Sequence, residues 1–158
     1  MNRYLKYAGI GLGVILAQVT IADWIQIQQI KPDLMMLFIL YLAYREGRSV
    51  GVIFGFLFGV ILDLGTASDF IGLSALAYSV VGFGSGFLQG RFHTLNPIVL
   101  YTVALVVLLT GHFIYFGIYY SGSPIGLSGL AGRFIFPAFA YTAIIGTLAL
   151  FTMPLSVE

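Results

Sequence analysis

The sequence predicts an all-α membrane protein of six transmembrane helices, and three observations carry that prediction. The first is composition: of 158 residues, 59% are hydrophobic, 16% aromatic and only 8% charged, with a mean hydropathy of +1.01. A soluble globule carries about 25% charged residues, so this chain has too few polar groups to face water all round. The second is distribution, since the apolar residues fall into six runs divided by short polar breaks. The third is run length, because about 20 apolar residues are needed to cross roughly 30 Å of hydrocarbon as a helix. No soluble domain fits into what remains, so residues 1–158 read as a single polytopic transmembrane domain.

The first span runs from Tyr4 to Trp24. Arg3 and Lys6 ahead of an apolar run have the outline of a signal peptide, but the run continues through Thr20 and Ile21 without a small-residue cleavage site. An uncleaved first helix is expected. The second span, Leu34 to Tyr44, and the third, Val50 to Leu64, are short taken strictly. Flanking residues, local thinning of the bilayer or burial against longer neighbours can complete them. Between them, Arg45-Glu46-Gly47-Arg48-Ser49 predicts a helical hairpin, because two Arg and a Glu in mid-bilayer would be expensive. The fourth span covers Ile71 to Leu88, the fifth Pro97 to Tyr120 and the sixth Phe134 to Thr152. Asn96-Pro97 suits a helix start, with Pro in the first turn where its missing N–H costs least. Ser121 to Gly129, rich in Ser and Gly, reads as the longest external connection.

Orientation follows from the basic residues. With a cytoplasmic amino terminus, six spans place Arg3, Lys6, Arg45, Arg48 and Arg91 inside and Lys31 and Arg133 outside, five against two. Both termini are therefore expected in the cytoplasm. Trp24, Tyr44 and the Tyr119-Tyr120 pair fall near span ends, where amphipathic rings favour the headgroup zone.

Glycine spacing marks the helix contacts. Gly51, Gly55 and Gly59 recur every four residues in the third span, and Gly82, Gly86 and Gly90 repeat the pattern in the fourth. Lipid supplies little hydrophobic drive for helices to associate, so close backbone approach along such stripes becomes a main source of adhesion. Gly9, Gly13 and Ala17 make a weaker stripe in the first span. Two uses are open: packing of the chain's own helices, or reception of a helix from a partner. With two long stripes available, one is expected to serve each purpose.

Few polar residues lie in or beside the spans. Asp63 ends the third span and Asp69 follows a Gly-containing turn. Together they could mark an ion or partner site; the plainer reading is that they are solvated loop acids, or that Asp69 caps the fourth helix. Asp33, after Pro32, reads as the N-cap of the second span. His112 lies inside the fifth span, where an ionisable residue is a functional candidate by default, against the plainer role of a neutral His bonded to a neighbouring helix.

Catalytic signatures do not emerge. HExxH, GxSxG and GxxxxGK[ST] are absent, and the glycines of Gly82-Phe83-Gly84-Ser85-Gly86 sit inside an apolar span where they serve packing. With no cysteine, disulfides and thiolate metal sites are excluded. A net charge of +1 without basic runs gives no nucleic-acid footprint. Neither a cofactor nor a metal is expected, and a membrane-embedded enzyme is the least supported class.

The stretch from Lys31 to Arg91 orders its features in a particular way: Pro32-Asp33, the basic break with Arg45 and Arg48, Gly55 and Gly59 leading to Asp63, then Gly72-Leu73 and Ala75-Leu76. In this it resembles the rod shape-determining MreD family, with Asp33, Arg45 and Asp63 as the family-motif polar residues. The resemblance implies a six-helix fold similar to the substrate-binding subunits of energy-coupling-factor transporters, residence in the bacterial cytoplasmic membrane, and partnership with MreC. Through MreC it implies contact, direct or indirect, with RodA, the elongation-specific penicillin-binding protein and MreB filaments. The expected function is a non-enzymatic scaffold or regulator of cell-wall elongation. The alternative is a vitamin-binding-type transporter subunit, which would need an outward-facing pocket with convergent polar groups.

Overall fold

The computed structural model describes residues 3–27, 30–66, 70–91, 96–124 and 126–152. After helix α1 (Arg3–Trp24), Ile27 and Ile30 exchange both backbone hydrogen bonds at 2.9 Å. Helices α2 (Leu34–Glu46) and α3 (Arg48–Gly65) are separated by Gly47 alone. Its N–H closes α2 on the Ala43 carbonyl, its own carbonyl opens α3 by accepting from Gly51, and its φ of 94° suits glycine. Helix α4 (Leu73–Ser85) ends in a tighter 3₁₀ turn over Gly86–Leu88. Helix α5 (Pro97–Tyr119) starts as expected, with Asn96 accepting from the Ile98 N–H and proline in the first turn.

The last rod differs from expectation. It begins at α6 (Leu127–Leu130), ahead of the expected start at Phe134, passes through a π-helical turn over Ala131–Ile135 and continues as α7 (Phe136–Thr152), so Leu127 to Gly129 of the expected connection are helical. Pro137 gives the reason. Inside a helix its ring crowds the carbonyl four residues back and it donates no hydrogen bond, and a wider turn just ahead of it absorbs the mismatch.

Among the described residues the chain thus forms six helical rods. Four are long and apolar enough to cross a membrane: Arg3–Ala22, Arg48–Gly65, Pro97–Tyr119 and Leu127–Ala149. The other two predicted spans are shorter. The fourth is an apolar rod over Leu73–Leu88, and α2, with 13 residues, reaches only about 20 Å at 1.5 Å per residue. Position compensates for the length of α2, because it touches each of the other five rods. Met35, Met36, Ile39, Leu42 and Ala43 are almost wholly buried there, and they form the core with Phe58, Leu62, Tyr78, Val81 and Leu108. Long apolar side chains such as Leu5, Leu16, Ile98, Val106, Ile144 and Leu148 stay exposed on α1, α5 and α7, as a lipid-facing surface requires.

Candidate functional site

The two glycine stripes meet each other. A Cβ at Gly51 would lie 2.9 Å from the Gly82 carbonyl oxygen, one at Gly55 would lie 2.7 Å from that of Tyr78, and one at Gly59 would strike the backbone of Ala75. Gly82 and Gly86 answer by abutting the backbones of Gly51 and Arg48. The division of the stripes into one internal and one intermolecular does not hold, since α3 and α4 consume both in a single seam. Gly90 lies outside that seam, in a turn with φ of 70°. In α1 the situation is reversed: a Cβ at Gly9 or Gly13 would meet no atom within 4 Å.

Buried polar groups converge where α2 begins. Gln18 of α1 holds the entering chain at two points, donating from Nε2 to the Pro32 carbonyl at 3.1 Å and accepting at Oε1 from the Leu34 N–H at 2.8 Å. Asp33 then caps α2, its Oδ1 accepting from the Met36 N–H at 2.8 Å, as expected from sequence. The Tyr78 hydroxyl of α4 donates to the same carboxyl group, 3.1 and 3.0 Å from its two oxygens. On the other side the Asp33 N–H donates to Thr142 Oγ1 of α7 at 3.0 Å, and Thr142 Oγ1 lies 3.3 Å from His112 Nε2 of α5.

The direction of this chain can be derived. His112 Nδ1 lies 2.9 Å from the Leu108 carbonyl, which only accepts, so a neutral ring carries its proton on Nδ1. Nε2 is then an acceptor, and the Thr142 hydroxyl donates to it while accepting from Asp33. Five rods are joined through these groups. Among the described residues no buried side-chain N or O lacks a partner, which matters because an unpaired polar group in hydrocarbon costs several kcal/mol.

Asp63 requires a correction. It is 2% exposed, and its Oδ2 accepts from the N–H groups of Gly72 at 2.8 Å and Ser74 at 3.1 Å. It caps α4 from the end of α3, in place of a solvated loop acid; Asp69 lies outside the described residues. Arg45 is exposed at the end of α2, beside Glu46, which pairs with Arg3 at 3.3 Å and accepts from the Tyr7 hydroxyl at 2.9 Å. Asp33 and Asp63 thus belong to internal caps, and Arg45 to the opposite, basic end. Sequence reasoning missed Gln18, Tyr78 and Thr142. Gln18 offered a signal as a lone amide in an apolar run, whereas Tyr78 and Thr142 offered none.

A shallow surface groove lined by Leu109, Thr110, Phe113 and Ile114 lies on the lipid side of α5, while His112 turns inward and is 3% exposed. No curated protein and no solved structure matches the chain. The family described as rod shape-determining protein MreD matches residues 7–155, a range that includes α2 to α6, the Gly47 hairpin, the α3–α4 seam and every member of the buried polar chain. The chain belongs to the MreD family.

Proposed function

We propose that this protein is a non-enzymatic scaffold or regulator of bacterial cell-wall elongation that binds MreC and, through it, engages RodA, the elongation-specific penicillin-binding protein and MreB. The family match over residues 7–155 carries this reading, since the family's role is rod shape determination. The inward, mutually satisfied polar groups support a structural purpose for them over substrate handling. Both termini lie in the cytoplasm in this proposal, with the end bearing Arg3, Lys6, Arg45, Arg48 and Arg91 facing inward.

Because α3 and α4 consume their own glycines, the stripe left for a partner's transmembrane helix is the open one at Gly9 and Gly13 of α1. Copurification with MreC after coexpression tests the proposal. A stable complex is expected, with Gly13→Leu reducing MreC recovery while the yield of folded protein stays unchanged. Absence of a complex with the unaltered chain would remove the MreC reading, and full recovery with Gly13→Leu would remove α1 as its site.

A further inference from the structure

We propose that Arg48 and the rings of Phe83 and Phe87 form a seat for an anionic phospholipid, the guanidinium pairing with the headgroup phosphate and the acyl chains descending along α4. This is independent of any protein partner. Arg48 opens α3 at the basic end of the bundle, and its guanidinium carbon lies 4.6 Å from the centre of the Phe87 ring and 5.8 Å from that of Phe83. The two rings meet edge to face at 5.1 Å and are 47% and 49% exposed. Beneath them Gly86 abuts the Arg48 backbone, so the residue is held at its main chain and at its charged tip. Cation–π contact fixes the guanidinium without using up its five N–H donors.

Surrounding charges leave this cation available. Glu46, two residues away in sequence, is engaged on the α1 side by Arg3 and Tyr7. Arg3, Lys6, Arg45 and Arg91 belong to the same end, where Glu46 is the acid among the described residues. The field there favours an anion.

The seat has two chemically distinct halves in contact. An exposed guanidinium asks for an anion, and the half-exposed phenyl rings directly below it ask for an apolar chain. A phospholipid with a net negative headgroup supplies both in one molecule, at the depth where phosphate meets hydrocarbon. A zwitterionic headgroup brings its own cation, and an acidic peptide has nothing for the rings. Arg also matches a phosphate oxygen pair with its planar fork.

The test is native mass spectrometry of the full chain in mild detergent with equal amounts of phosphatidylglycerol and phosphatidylcholine of matched acyl chains. Phosphatidylglycerol should be retained preferentially, and Arg48→Gln should cut that preference roughly fivefold, the factor one basic residue contributes near an anionic surface. Lys6→Gln should cut it less. Thermal unfolding of each variant checks the fold. Should Arg48→Gln fail to fold, Phe87→Leu removes the ring under the guanidinium and must lower the preference as well. Equal retention of the two lipids by the unaltered chain overturns the proposal, as does an undiminished preference in whichever of these two variants folds. Binding of a polyglutamate peptide without lipid preference overturns it in favour of an acidic protein segment.

Discussion

Gly55 of α3 faces the carbonyl oxygen of Tyr78 on α4 so closely that a single methyl group would come within 2.7 Å of it. Tyr78 in turn reaches across to Asp33 with its hydroxyl. The glycine seam therefore positions one member of the buried polar chain, and close backbone packing and polar satisfaction are parts of one construction.

Gly55→Leu should abolish the folded protein. Overpacking costs about 1–3 kcal/mol where side chains can yield, and here the obstacle is backbone. Folded yield by size-exclusion chromatography measures it. Normal yield would show that α3 and α4 can separate without loss.

Replacing Tyr78 by Phe leaves the ring in the core and removes only its donor. A loss of about 1–3 kcal/mol is expected, because the Asp33 carboxyl loses the donor that α4 supplies. Asp33→Ala should cost more, since it also removes the α2 cap, worth about 1 kcal/mol. Unfolding in increasing sodium dodecyl sulfate ranks the two variants, and the reverse order would contradict the assigned roles.

The Thr142–His112 contact predicts coupling. Thr142→Val and His112→Phe should each destabilise the protein, and the double variant should lose less than the sum, with a coupling of about 0.5–3 kcal/mol. Additive losses would mean that the two side chains act separately. Thr142→Ser should retain most of the stability, because it keeps the hydroxyl.

Topology has a direct check. Ser49 follows the Gly47 hairpin and Ser123 follows α5, so three rods separate them. Cysteines placed there should be labelled from opposite faces, Ser49 from the cytoplasm. Labelling of both from one side defeats the proposed arrangement.

What sequence made legible was local or periodic. The Asp33 cap is written within three residues of the amide that donates to it, and the glycine stripes recur at a fixed spacing of four. Their mutual pairing was not readable, because spacing describes one helix surface and says nothing of what lies opposite. The role of Asp63 is hidden for a related reason: its partners, Gly72 and Ser74, follow nine and eleven residues later, and sequence alone does not bring them back to it. Tyr78 and Thr142 stand 45 and 109 residues from Asp33, and both residue types are ordinary in apolar helices. The sixth rod starts ahead of the expected Phe134 because the π-helical turn over Ala131–Ile135 carries the helix past Pro137, and a proline in the sequence does not announce that accommodation.

The enclosure of α2 by all the other rods bears on how the chain is made. A helix of 13 residues gains too little from lipid to enter it by itself when it leaves the ribosome. Since Gly47 is the whole connection to α3, the two would enter as one unit, with the longer α3 carrying its neighbour in. Nascent chains halted soon after Glu46 should therefore leave α2 accessible to a glycosylation reporter in microsomes, and chains extended past Gly65 should hide it. Biogenesis would then proceed by adding a hairpin, and the centre of the finished bundle would be a segment that never chose the membrane for itself.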